Sequence, residues 1–282
     1  MIIKKKSIYI FLLLLLVIII ILLRQNDVSK NMTPEISNNI NLISQKNIYF
    51  GHRSVGENII SGINKIISKG GHKEIVIKEL NSNSKIDGKY FFHSNIGNNG
   101  DPKSKFKEFT DIVNDLSNKN LELAMMKLCF VDITRKTNIN EVFQSYVAMI
   151  DSLQNKHPNL TFIHFTVPLK SQPSWINSIK DFIKNRNQND QQDNINRNNY
   201  NELLLSKYPP KYIFDLAEFE STYPNGKRES IMVNGKLYYS LIKDYTDDGG
   251  HLNDMGQQVI ASELINKLLE IITLKNIVIN HI

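Results

Sequence analysis

Ser54, Asp248 and His251 are the residues whose types and spacing suit acyl transfer. Ser54 lies in Gly51-His52-Arg53-Ser54-Val55-Gly56, a polar turn bracketed by two glycines. The apolar run before it reads as a strand. Beyond it, Glu57 opens a pattern with Ile59, Ile60, Ile63, Ile66 and Ile67 at helical spacing. A serine at such a junction has two readings. It can cap the first turn of the helix, or it can stand exposed as a nucleophile beside the free N–H groups of that turn. Near the other end of the chain, Asp248-Gly249-Gly250-His251 places a carboxylate three residues before an imidazole. Two glycines let that loop fold back tightly. The histidine would then take the serine proton while the carboxylate orients the ring.

These groups need a frame to bring them together. The stretches Glu74–Leu80, Leu121–Leu128, Leu160–Val167 and Tyr212–Leu216 read as strands. Lys103–Leu116, Glu141–Gln154, Trp175–Lys184 and Asp254–Ile272 read as helices between or after them. Strands separated by helices pair in parallel, which predicts an α/β doubly wound sheet with helices on both faces. Ligands in such sheets gather beyond the carboxyl ends of the strands, where Ser54 would lie.

On the Ser54 turn and the Asp-x-x-His pair, the sequence resembles the SGNH/GDSL hydrolase superfamily, in particular SGNH-like proteins associated with bacterial surface polysaccharides. The resemblance runs from about Ile48 to Leu269. It implies a flavodoxin-like sandwich, with Ser54 as nucleophile, His251 as base and Asp248 as orienting acid. It also implies an oxyanion site made by the Ser54 N–H and a glycine donor in the loop Phe92–Pro102, where Gly97 and Gly100 both qualify. Two departures stand out. Gly51-His52-Arg53-Ser54 replaces the usual Gly-Asp-Ser, and no Gly-x-Asn-Asp occupies the third motif. An amide from Asn98 or Asn99 would be a substitute for the missing asparagine.

Several other residues bear on the site. His52 and Arg53 flank the serine and are candidate substrate contacts. Met125–Asp132 occupies the place of the absent motif and adds Lys127 and Asp132 as further candidates; Lys127 reads as a buried ion pair or ligand contact, or as a snorkelling side chain. Cys129, the only cysteine, reads as buried packing and excludes an intrachain disulfide. His164 lies mid-strand and reads as a core residue. Eleven of the seventeen residues from Asn185 to Asn201 are Asn or Gln. That composition reads as a mobile surface segment, with Arg197 near its end as a candidate cleft residue.

No histidine or cysteine spacing suggests a metal site, and no fingerprint for a phosphate or dinucleotide is present, so no cofactor is expected. The net charge of +6 owes much to the amino terminus. Setting aside Lys4, Lys5, Lys6 and Arg24 leaves 30 basic against 28 acidic residues, which gives no case for nucleic acid. The sixteen apolar residues Ile8–Leu23 follow three lysines, with no small-residue cleavage site after them. They read as an uncleaved single-pass anchor over residues 1–24, with the remainder extracytoplasmic. Residues 25–45 read as a polar tether and 46–282 as one domain. The function expected is a membrane-anchored serine esterase acting on an acylated surface glycan. The alternatives are a glycan O-acyltransferase and a non-catalytic glycan-binding or assembly protein on the same scaffold.

Overall fold

The computed structural model describes residues 40–80, 88–172 and 186–280. Six strands form one parallel sheet: β1 (Ile48–His52), β2 (Ile77–Glu79), β3 (Phe91–Asn95), β4 (Leu123–Met126), β5 (Thr161–Phe165) and β6 (Ile213–Phe214). Their order is β2-β3-β1-β4-β5-β6. The chain therefore starts in the interior of the sheet, winds to one edge and then crosses β1 to build the other half. Every residue of β1 is buried, as a strand covered on both faces requires.

Alternation along the strands divides the core in two. Ile48, Phe50, Leu123, Met125, Ile163 and Phe165 face α1 (Val55–Gly70) and the final helix. Tyr49, Phe92, Ala124, Met126 and Phe162 face α2 (Pro102–Ser117) and α3 (Ile139–Lys156). The long helix α4 (Arg186–Lys207) adds Tyr200 and Leu204 to this second layer. The short α5 (Leu216–Ser221) leads to an antiparallel hairpin, β7 (Ser230–Val233) and β8 (Lys236–Tyr239), and α6 (Asp254–Asn280) closes the first layer. Helix starts are set locally. Asp101, Asn138 and Asp215 accept the backbone N–H of Ser104, Glu141 and Glu218 at 3.2, 3.3 and 3.0 Å, each meeting a donor that the helix cannot satisfy itself.

The doubly wound sheet is as the sequence predicts, with shorter strands. The hairpin was not foreseen, although Asn234-Gly235 supplies the two left-handed residues that a tight turn between twisted strands needs. The Asn-rich stretch is a correction. It forms most of α4, and its Asp193, Asn194, Arg197, Asn198 and Asn201 are buried. Residues 40–45, expected to belong to the polar tether, instead form a 3-10 helix, Ile40–Gln45, whose Ile40 and Ile43 belong to the core, and the rest of the expected tether lies outside the described residues. The helix expected over Trp175–Lys184 and the anchor over residues 1–24 lie outside the described residues. Among the described residues, no helix is long and apolar enough to cross a membrane.

Candidate active site

Ser54 immediately precedes α1, at the carboxyl end of β1. Its backbone has φ 57 and ψ −113, a conformation a non-glycine residue adopts only when its surroundings impose it. The side chain makes no capping hydrogen bond to the helix. Its Oγ instead lies 2.7 Å from His251 Nε2. This decides against the capping role for the hydroxyl.

The loop that carries His251 is built around Asp248. One carboxylate oxygen accepts the backbone N–H of Gly250 and of His251, at 2.9 and 2.8 Å. The other lies 2.6 Å from His251 Nδ1. Gly249, at φ 86, makes the turn. Burial works against the charged form of Asp248, but the hydrogen bonds from the His251 ring and from the two backbone N–H groups outweigh it. They hold the carboxyl well below the ordinary carboxylate range. An ionised Asp248 places the ring proton on Nδ1 and leaves Nε2 as an acceptor for the serine O–H. Two more contacts seat the loop: Leu252 donates its N–H to Asn58 Oδ1 at 3.1 Å, and Ser171 donates to the Gly249 carbonyl at 3.0 Å.

The serine after the first strand and the Asp-x-x-His before the last helix thus meet at the carboxyl end of a parallel sheet. This is the arrangement that the sequence resemblance implies. No family model and no curated protein matches the chain. Solved structures similar to it include the lipase/acylhydrolase from Enterococcus faecalis, with 11% identity, 79% of this chain and 95% of that one covered, and a TM-score of 0.45. The lipopolysaccharide acetyltransferase periplasmic domain of Salmonella ser. Paratyphi A is 12% identical, with 80% and 84% covered and a TM-score of 0.44. A carbohydrate esterase family 3 protein from Talaromyces cellulolyticus is 14% identical, with 80% and 97% covered and a TM-score of 0.41.

The rest of the site departs from expectation. The N–H of Gly97 donates to Glu108 Oε2 and that of Gly100 to Asp132 Oδ1, both at 2.7 Å. Neither is available to an oxyanion. The Ser54 N–H enters no hydrogen bond among the described residues. Asn99 is exposed and accepts from Lys105 Nζ through Oδ1 at 3.3 Å, which leaves its amide N–H group uncommitted to that contact.

Four of the five candidate substrate contacts are buried and occupied. His52 is fully enclosed and bonded to His93. Lys127 donates to the Leu128 carbonyl at 3.2 Å and approaches Cys129 Sγ at 3.6 Å, and burial lowers its pKa. Asp132 pairs with the equally buried Lys105 and also accepts the N–H of Cys129 and of Gly100. It joins the loop after β3 to the loop after β4. Arg197 donates Nε to the carbonyls of Phe130 and Ile133, at 2.8 and 3.1 Å. A side chain enclosed this way cannot reach a substrate. Arg53 is half-buried and donates Nε to the Ile96 carbonyl at 3.1 Å, tying the serine turn to the loop after β3. Cys129 is fully buried, and His164 is a core residue bonded to the Tyr146 hydroxyl at 2.9 Å, both as the sequence suggests.

Two elements were missed. Phe130 lies edge-on to the His251 ring, with 5.6 Å between centroids, and walls the base. Helix α4 holds the backbone behind it: Asn194 and Asn201 each take both the N–H and the carbonyl of one loop residue, Lys170 and Val167 respectively. The spacing of Asn194, Arg197, Asn198 and Asn201 is helical, which is the signal that the composition obscured.

Proposed function

We propose that this chain is a serine esterase that removes acyl groups, O-acetyl foremost, from a surface glycan. The observation that carries the reading is the continuous contact from Ser54 Oγ to His251 Nε2 and from Nδ1 to Asp248, on a serine held in a strained backbone conformation. Ser54 Oγ attacks the ester carbonyl carbon as its proton passes to His251 Nε2, and Asp248 stabilises the imidazolium. The Ser54 N–H, with the Asn99 amide as the candidate second donor, faces the developing oxyanion. The tetrahedral intermediate expels the alkoxide, which takes the proton from Nε2. Water then repeats the sequence on the acyl-enzyme and restores Ser54.

Exposure supports both the substrate class and the outcome. The His251 and Asp248 side chains are 46% and 57% exposed, so an ester on a bulky polymer can reach the serine without entering a deep cavity. An acyl-enzyme this open to water favours hydrolysis over transfer to another hydroxyl. The glycan assignment follows the sequence resemblance and the reading of Ile8–Leu23 as an anchor that leaves the domain outside the cell. The aligned triad speaks against a purely binding role.

The test is fluorophosphonate labelling of the full chain in detergent, beside Ser54→Ala and His251→Ala. Labelling of the wild type alone, with hydrolysis of an acetyl ester falling by roughly 10³-fold or more in each variant, is expected. A folded wild type that neither labels nor hydrolyses overturns the esterase reading.

A further inference from the structure

Beneath the serine turn, on the face of the sheet covered by α1, His52 ends β1 and His93 lies in the neighbouring β3. His52 Nε2 and His93 Nδ1 are 3.1 Å apart. Glu57, in the first turn of α1, brings Oε1 to 3.7 Å from the other nitrogen of His52, Nδ1. One donor atom from each of the three side chains lies within 4.8 Å of the other two. We propose that His52, His93 and Glu57 form a binding site for a divalent transition-metal ion, zinc being the best match.

The imidazole pair already has the right separation. Two ligands held at ~2.0–2.1 Å in a tetrahedron stand ~3.3 Å apart, a few tenths of an ångström from the spacing seen. Glu57 is exposed, so its side chain can rotate to close on the ion and offers the route by which the ion enters. The ring of His52 supplies an independent indication. Its Nδ1 is buried and has no hydrogen-bond partner, and the 3.7 Å to Glu57 is too long for one. With the ring proton on that Nδ1, the Nε2 lone pair points toward His93, the orientation a ligating imidazole needs, while Glu57 turns to the ion as the third ligand.

Two nitrogens and a carboxylate suit zinc and its first-row neighbours, whereas calcium and magnesium prefer oxygen throughout. Gly56 is what allows the approach. A Cβ there would lie 2.3 Å from the Cβ of His52, so only glycine lets the first turn of α1 settle on that ring. A bound ion would cross-link β1, β3 and α1 around the serine turn. The site does not depend on the esterase reading.

The experiment titrates Co2+ into the metal-stripped full chain and follows the visible d–d absorption, with Zn2+ as competitor and elemental analysis for stoichiometry. The proposal expects one equivalent bound by the wild type and displaced by Zn2+. Binding should weaken at least ~10-fold in Glu57→Gln and in His93→Gln, and remain unchanged in His251→Ala. Should His93→Gln fail to fold by circular dichroism, the exposed Glu57→Gln decides alone. Absence of a cobalt spectrum in the wild type overturns the proposal. So does binding that survives in Glu57→Gln but is lost in His251→Ala, which would place the ion on the triad.

Discussion

The side chain of Asn194 takes both backbone groups of Lys170: Nδ2 donates to the carbonyl at 2.7 Å and Oδ1 accepts the N–H at 3.0 Å. The next residue, Ser171, holds the carbonyl of Gly249. A buried amide on α4 is thereby two steps from the loop that presents His251. The same Oδ1 also accepts from Arg197 Nη1 at 2.6 Å, and Arg197 in turn fixes the Phe130 carbonyl. Helix α4 thus braces two walls of the site through one polar face.

Asn194→Ala should cost roughly 1–3 kcal/mol, because it leaves the half-buried Lys170 N–H and the buried Arg197 Nη1 without their acceptor, while the Lys170 carbonyl keeps the N–H of Leu241. Urea denaturation measures this directly. If α4 also positions the base, kcat for an acetyl ester should fall with KM little changed. Asn194→Asp keeps the acceptor and loses the donor, so it should recover part of the stability. An alanine variant with wild-type stability would mean that water replaces the amide and that the brace is dispensable.

Asp248→Asn tests the ring orientation. Asparagine can present its N–H₂ to His251 Nδ1, which moves the ring proton to Nε2 and removes the acceptor that Ser54 needs. A fall of roughly 10⁴-fold in kcat is expected, with the fold retained. Steady-state kinetics and circular dichroism on one preparation provide both readings. Because the wild-type carboxyl is held well below its ordinary range, Asp248 should remain ionised through mild acid. Any acid limb of the wild-type rate profile near pH 5 must then come from another group.

Gly56→Ala tests the packing of α1 on β1. The added Cβ would collide with the Cβ, Cγ and Nδ1 of His52, at 2.3, 2.6 and 2.8 Å. Relief requires the start of the helix to move away from the sheet, and Ser54 moves with it. A loss of about 1–3 kcal/mol is expected from such overpacking. Fluorophosphonate labelling should slow alongside it, since Ser54 Oγ then leaves its 2.7 Å contact.

What could be read in the sequence was what chemistry writes locally. Glycines around Ser54 and between Asp248 and His251 mark turns in any context, and the apolar runs of β1, β4 and β5 mark buried strands. The oxyanion loop could not be read that way. Gly97 and Gly100 look available until Glu108 and Asp132 arrive from other elements and take their N–H groups. Composition also misled at α4, because Asn and Gln resemble solvent-facing residues until the loops they bind are folded against them. The pairing of Lys105 with Asp132 and the His52–His93–Glu57 cluster depend on contacts between separate elements that no spacing reveals.

Glu220 provides the last prediction. It is fully buried in α5, accepts the Leu169 N–H at Oε1, and leaves Oε2 without a partner among the described residues. Burial pushes its pKa up to about 8, against the Leu169 hydrogen bond and the positive charges of Lys127 and Arg197, while Asp215 adds to the rise. In the unfolded chain the same carboxyl titrates near its ordinary value of 4.5. Between these values the folded protein binds the extra proton. Linkage then requires stability to be fullest below about pH 4.5 as far as Glu220 is concerned, and to decline as pH rises toward about 8. Urea midpoints measured from pH 5 to 9 should show that decline in the wild type. Glu220→Gln keeps the acceptor for Leu169 and cannot ionise, so its midpoint should vary less across the window and exceed the wild-type value at pH 8 to 9. Parallel profiles for the two proteins would show that Glu220 carries no raised pKa and that the loop after β5 is held by its other contacts.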